Sequence, residues 1–392
     1  MIEIFEKPDC FGCAACVNAC PKHCITMRAD KEGFLYPVVD AEQCIECGRC
    51  HGVCPLDKKL LPADCKVQAF GAVNKTESQR QNSSSGGVFS LLAEHIMDRG
   101  GVVFGAAFTD DFKTVCHFAA ETRDELKKLR GSKYLQSNVG DTYIRTKRYL
   151  EQGRPVLFTG TPCQIGGLRM FLGKDYDCLY TQSVVCHGVS SPLLWKKYAA
   201  LREKEAGSVL TGVSFRKKMP DWKHYSLELT FENNREYVCR ASEDAYMRCF
   251  LNELTLRSSC YQCQFKGTQD PADITLADFW GIRYILPEMD DGKGTSLILV
   301  RTEKGRHLLD VCSDGMESKE VDYAAAVQEN PAAVESAKKP VKRSRFMEEI
   351  QNQPVEQVLR RYGKDTVLSK VTSRLRWYRS KVRRAWLKYR KS

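Results

Sequence analysis

Cys10, Cys13, Cys16 and Cys20 are followed by Pro21, and Cys44, Cys47, Cys50 and Cys54 are followed by Pro55. One spacing therefore occurs twice near the N-terminus. Three thiolates at i, i+3 and i+6 on a tight loop can wrap one face of an iron–sulfur cubane, each binding one iron. A fourth cysteine three residues further on serves the other cubane. The spacing predicts one [4Fe–4S] cluster on Cys10, Cys13, Cys16 and Cys54, and a second on Cys44, Cys47, Cys50 and Cys20. Gly12 and Gly48 relieve crowding in the loops. Each fourth cysteine is expected to start a short helix, with the proline in its first turn, where the missing N–H costs least.

A zinc site is the competing reading, but zinc takes one set of four ligands rather than two runs that each end in Cys-Pro. Nineteen cysteines in a chain of 392 residues would suggest disulfides in a small secreted protein. In a long chain whose first residues show no export signal, metal or redox chemistry is the better explanation. Cys24 and Cys65 lie outside the pattern and read as spare or buried thiols.

The elements that must position this chemistry follow from the rest of the chain. Its length implies two or three domains. Hydrophobic residues make up 43% and charged residues 28%, the balance of a globular protein, and no apolar run approaches the roughly 18 residues that span a bilayer. The net charge is +11, yet the segment 366–392 holds ten Lys or Arg and no acid. The body is thus nearly neutral, which argues against nucleic-acid binding. Val67–Val73, Gly100–Phe108, Pro155–Gly160 and Asp177–Val185 read as strands. Thr161–Gln164 reads as a turn. Val88, Leu91, Leu92, His95 and Ile96 lie on one helical face behind the loop Asn82–Gly87. A Ser/Gly loop that opens a helix offers N–H groups and hydroxyls to an anion. The expected fold is α+β: a small 2[4Fe–4S] ferredoxin-like domain over 1–62, then a larger α/β body over 63–150 and 151–345, and a basic helical tail over 346–392.

The strings SSSGGVFS, GSKYLQS, GTPCQIGGL, CHGVSSP, SCYQC and DITLADFWG occur in this order behind the cysteine repeats. In this the chain resembles the coenzyme F420 hydrogenase/dehydrogenase beta-subunit family. The resemblance implies a flavoprotein with FAD beside a further [4Fe–4S] cluster. Carried onto this chain, it implies that Ser84, Ser85, Gly86, Gly87 and Val88, together with Gly131, Ser132, Lys133, Tyr134, Gln136, Ser137 and Thr161, hold the FAD. Lys133 would meet the diphosphate or the flavin edge. Cys163, Cys186, Cys260 and Cys263 are the candidate ligands of the third cluster. Zinc on the same four thiolates, or a reactive thiolate at Cys163 or Cys186 beside His187, are the alternatives. Ser183 stands where the family carries an acid, and Asp270 where it carries an arginine.

The reading that results is an oxidoreductase in which electrons from a ferredoxin-like or other redox protein pass through clusters to FAD and reach an organic substrate as hydride, with His187 as the candidate proton donor. A non-catalytic electron-transfer subunit, a coenzyme F420-dependent dehydrogenase subunit and a redox-sensing regulator are the alternatives. A cytoplasmic location is expected. In the tail, Leu368, Val371, Leu375, Tyr378, Val382, Ala385 and Tyr389 recur at helical spacing among Lys and Arg, flanked by Trp377 and Trp386. That pattern suits an anionic membrane surface, here the inner face of the membrane, or a partner protein.

Overall fold

The computed structural model describes residues 1–56, 58, 60 and 66–364. The basic tail beyond 364 and Cys65 lie outside the described residues. The fold is α+β. Its centre is a nine-stranded mixed sheet, whose strands run Met316–Val321, Gln68–Asn74, Ser296–Val300, Ile274–Asp278, Leu179–Val184, Val156–Gly160, Val102–Phe108, Val115–Ala120 and Ser137–Asn138 from edge to edge. The middle four strands, Ile274–Asp278 through Val102–Phe108, are parallel. Central strands are buried on both faces, which explains their near-continuous apolar runs such as Val156-Leu-Phe.

Alternate residues of these strands build two cores. Val103, Ala107 and Leu157 pack against Leu92, Ile96 and Leu126 on one face. Phe104, Val156 and Phe158 pack against Tyr143, Ile165 and Leu168 on the other. Ala14 and Ala15 of the N-terminal domain belong to this second core. The cysteine-bearing domain, which contains the hairpin Ile25–Ala29/Leu35–Val39, is therefore seated directly on one face of the body. Arg343 holds Glu32 with two bonds of 2.6 Å, Gln264 Nε2 donates to Pro55 O at 2.6 Å, and Phe11 meets Phe265 edge-on at 5.0 Å.

Strands from both sides of residue 150 share the one large sheet, so the regions 63–150 and 151–345 build it together. Other expectations are corrected here. The tail does not begin at 346: the helices Arg343–Asn352 and Val355–Tyr362 bury Phe346, Met347, Ile350, Val358 and Leu359 against Leu194, Tyr198 and Tyr246. Thr161–Gln164 is no free turn, because Pro162 begins the helix Pro162–Leu172 and Thr161 caps it. Neither fourth cysteine starts a helix. Cys20 is the extended C-cap of Ala15–Ala19, and Cys54 follows the helix Arg49–Gly52. The proline that comes next disfavours helical geometry in the residue before it, so it marks a helix end rather than a beginning. Among the described residues no helix is long and apolar enough to cross a membrane.

Candidate cluster and flavin sites

The loops of the N-terminal domain fold back on themselves at Gly12 and Gly48, with φ of +69° and +72°. Ala14 and Glu46 are also left-handed, at 60° and 53°, a conformation that non-glycine residues adopt at some cost. These turns point the cysteines inward. Cys10, Cys13, Cys16 and Cys54 line one cavity of about 370 Å³, and Cys20, Cys44, Cys47 and Cys50 line a second of about 350 Å³. Cys24 lies in the second cavity too, its Sγ 3.4 Å from that of Cys20. Spacing alone did not mark it, because only the chain reversal at Pro21 brings it back. Cys47 is exposed, whereas Cys13 and Cys16 are buried.

In the body, Cys163 sits in the first turn of Pro162–Leu172, and Cys186 follows the strand Leu179–Val184. Cys260 lies in the turn Ser258–Gln262, with Cys263 as its C-cap. Separated by up to a hundred positions in sequence, all four line one cavity of about 620 Å³ together with His187, Lys266 and Arg257. Burial pushes the Cys260 thiol up to about 12 and the Cys163 thiol well above the ordinary range. Groups so placed are neutral thiols until a cation stabilises their thiolates, which suits ligands better than a self-activated nucleophile. Among the described residues no group of three or more His, Cys, Asp or Glu is arranged to hold a single metal ion. A cubane binds each thiolate to a different iron, so its ligands stand further apart than those of one zinc ion. Each of the three cavities is lined by at least the four cysteines that one cubane takes.

His187 shares the body cavity with these cysteines. Its Nε2 is buried without a hydrogen-bond partner, and its ring meets Phe250 edge-on at 5.3 Å. Burial, aided by the Lys266 cation, holds its pKa below the usual imidazole range.

The flavin residues expected from the resemblance divide into two groups. Ser84 Oγ accepts from Ser132 N at 3.0 Å and from Ser132 Oγ at 3.1 Å, so the loops around 84 and 131 meet. Gly87, at φ +85°, precedes the helix Val88–Asp98, whose N-terminus has no side-chain cap. In its first turn Ser90 Oγ is buried without a partner. Open N–H groups and an orphan hydroxyl suit a bound anion. Gly86 has a structural reason as well, since a Cβ there would stand 2.4 Å from Ala72 O.

Lys133 bonds backbone carbonyls of the protein itself. Its ammonium donates to the carbonyls of Lys128, Leu129 and Arg130 at 2.9, 3.0 and 2.8 Å, closing the C-terminus of the helix Arg123–Leu129. Burial pulls its pKa down to about 7, and those carbonyls favour the charged form. Tyr134 stacks on Phe250 at 4.8 Å. Gln136 Oε1 accepts from Arg257 Nη1 at 3.0 Å. Ser137 Oγ contacts Nδ1 of His117 at 2.8 Å and accepts from Gln164 Nε2 at 3.0 Å. Thr161 Oγ1 lies 3.1 Å from Cys163 Sγ. Gln136 and Ser137 are thus committed to the interior, and Thr161 belongs to the body cavity. Arg257 and His117 were missed in the sequence, where nothing in their neighbourhood distinguishes them from ordinary surface or core residues.

Comparison with known proteins agrees with this layout. Residues 9–58 match the 4Fe-4S dicluster domain. Residues 69–142 and 153–324 match the N-terminal and C-terminal models of the coenzyme F420 hydrogenase/dehydrogenase beta subunit. The uncharacterized protein MJ1349 of Methanocaldococcus jannaschii is 26% identical over 209 residues, covering 45% of this chain and 56% of that protein. The chain thus spans about half the length of that relative. The ferredoxin-like protein in vnf region of Azotobacter chroococcum is 38% identical over 69 residues, 16% of this chain and 98% of its own. In the F420-reducing [NiFe] hydrogenase complex from Methanosarcina barkeri, one chain aligns with 16% identity and a TM-score of 0.44, over 74% of this chain and 90% of that one. An iron–sulfur ferredoxin domain fused to this two-part body identifies the chain as a member of the coenzyme F420 hydrogenase/dehydrogenase beta-subunit family.

Proposed function

We propose that the chain is an iron–sulfur flavoprotein oxidoreductase that takes electrons from a ferredoxin-like protein and delivers them as hydride to an organic substrate. The observation that carries this reading is the convergence of Cys163, Cys186, Cys260 and Cys263 on one cavity beside the cysteine-rich domain. Two cubanes would be held by the crossed N-terminal sets and a third by these four residues. FAD would lie against the Ser84–Val88 loop and Gly131–Ser132, with its diphosphate at the open helix N-terminus. When bound, clusters supply one-electron transfer and flavin converts it to two-electron chemistry.

The residues of the chain do the positioning. Thr161 and Gln164 fix the turn that presents Cys163 through their reciprocal cap. Lys266 donates to the Cys186 carbonyl and to Ala332 O, holding the Cys186 loop against the segment near Ala332. Phe11 and Phe265 line the cavity with apolar surface. His187 holds a neutral imidazole there, able to give or take a proton at Nε2.

Anaerobic purification with iron, sulfide, zinc and flavin quantification tests the proposal. Roughly three cubanes and one FAD per chain are expected, and Cys163→Ser should remove one cubane while sparing the N-terminal pair. Unchanged cluster content in that variant, or stoichiometric zinc in the wild type, refutes the assignment. The family's description as a beta subunit favours a second reading, in which the chain serves a partner enzyme. Turnover of an artificial acceptor by the isolated chain separates the two. The basic tail is proposed to hold the protein at an anionic membrane surface, and truncation at Asp365 should abolish co-sedimentation with anionic vesicles.

A further inference from the structure

Arg257 lies in the seam between the N-terminal domain and the body, and its side chain is fully buried. Its Nε donates to the Cys10 carbonyl at 2.9 Å and its Nη1 to Gln136 Oε1 at 3.0 Å. Its guanidinium lies 4.1 Å from the centre of the Tyr36 ring and 5.6 Å from that of Phe34. Nη2 is buried with no hydrogen-bond partner. The same side chain lines the cavity of Cys163, Cys186, Cys260 and Cys263. On the other side its Nη1 lies 3.0 Å from where a Cβ on Gly12 would stand, in the loop that lines the Cys10 cavity.

A guanidinium keeps its charge at any working pH, so this is a permanent cation in a region of low dielectric. Its partners here are a carbonyl, an amide and two rings, none of which neutralises it. A group that gains an electron nearby becomes more negative, and a fixed buried cation favours that reduced form. Lys266 offers a contrast, because its ammonium is tied to Cys186 O and Ala332 O within the body cavity alone.

We infer that Arg257 is an electrostatic positioning residue that raises the reduction potentials of the clusters on both sides of the seam together. This rests on the cluster assignment proposed above. The second N-terminal set, on Cys20, Cys44, Cys47 and Cys50, lines a cavity to which Arg257 does not contribute. It serves as the internal control.

The experiment is an anaerobic redox titration followed by EPR on the full chain, after iron and sulfide have been counted. Arg257→Gln should move the potentials of the Cys10 cluster and the body cluster negative and leave the Cys44 cluster in place. Lys266→Gln should move the body cluster alone. Gln136→Glu sets a carboxylate on Nη1 without removing the arginine, and should shift the same two clusters in the same direction by a smaller amount. It decides the matter if Arg257→Gln does not fold. Unchanged potentials in fully loaded variants overturn the inference, as does an equal shift of all three clusters. A wild type without the body cluster would instead refute the proposed function, and the shift at the Cys10 cluster would still be required.

Discussion

Ser183 Oγ donates to Asp270 Oδ2 at 2.6 Å, joining the two positions at which a departure from the family is expected from the sequence. The sequence presents them as two separate changes, 87 residues apart. The fold makes them one contact, with Asp270 on the wall of the body cavity and Ser183 buried behind it. Thr275 Oγ1 adds a bond of 2.8 Å to the same carboxylate oxygen, Ala272 N bonds the other at 3.1 Å, and Arg301 Nη2 lies 4.0 Å away. The carboxylate is buried and its charge is met by an arginine that comes from a different strand end.

Removing one member of such a network leaves its partners buried and poorly satisfied. Asp270→Ala should therefore cost about 3–5 kcal/mol, and Ser183→Ala roughly 1–3 kcal/mol. The double variant should lose less than the sum of the two, with a coupling of about 0.5–3 kcal/mol. Chemical denaturation of the four proteins measures this, and strict additivity would mean that the contact carries no energy.

The core set around His117 predicts a pH dependence. His117 is buried, its Nε2 lies 3.0 Å from Thr159 O, and Ser137 Oγ faces its Nδ1. A carbonyl can only accept, so Nε2 carries the proton and Nδ1 accepts from the serine. Burial lowers the imidazole pKa from 6.5 to about 4, against a smaller opposing effect of the Thr159 bond. Between these values the unfolded chain binds a proton that the folded chain refuses. Stability should thus fall as the pH drops from 6.5 towards 4, by on the order of 3 kcal/mol at most. In His117→Gln that part of the slope should vanish. Denaturation of both proteins at pH 7 and pH 5.5 checks it, and identical slopes would show that His117 does not titrate in this window.

Local sequence carried much of this fold and less of the site. The strands Val156–Gly160 and Leu179–Val184 and the helix Val88–Asp98 were legible because burial on one or both faces imposes a pattern that neighbours in sequence share. The cysteine repeats were legible because cluster loops are local. Cys24 beside Cys20, Arg257 behind Cys10 and Ser183 against Asp270 were not, because each depends on a chain reversal or a domain seam. Lys133 shows another gap: its motif position suggests a cofactor contact, whereas its ammonium bonds the carbonyls at the end of the preceding helix, which the motif does not reveal.

This gives Lys133 a structural role that can be tested against the cofactor role. Lys133→Met removes three bonds to the carbonyls of Lys128, Leu129 and Arg130. A cation at a partly buried helix C-terminus contributes up to about 2 kcal/mol. The variant should lose stability on that scale and keep its flavin content per folded chain. A lower flavin content at an unchanged melting temperature would return Lys133 to the diphosphate.

Gly167, in the segment GTPCQIGGL, allows the helix Pro162–Leu172 to approach the N-terminal cysteine loop. A Cβ at this position would stand 2.9 Å from Cys13 Cβ, 3.0 Å from Cys13 Sγ and 3.0 Å from the Tyr143 hydroxyl oxygen. Neither neighbour can yield easily. Tyr143 is fully buried and donates to Gln164 O at 2.7 Å, and Cys13 is held in a tight loop between Gly12 and Ala14, both at positive φ. Gly167→Ala should therefore cost about 1–3 kcal/mol by overpacking, and should lower the iron retained at the Cys10 site by displacing Cys13. Gly52 provides the control, because it ends a helix, needs no positive φ and has open space where its Cβ would go. Gly52→Ala should be neutral or slightly stabilising, since alanine restricts the unfolded chain more than glycine does. Iron per chain and the melting temperature of the two variants, prepared side by side without oxygen, decide the matter. A Gly167→Ala protein with wild-type iron and an unchanged melting temperature would mean that the domain seam has slack, and that the close approach of this helix to the cysteine loop is not what holds Cys13 in place.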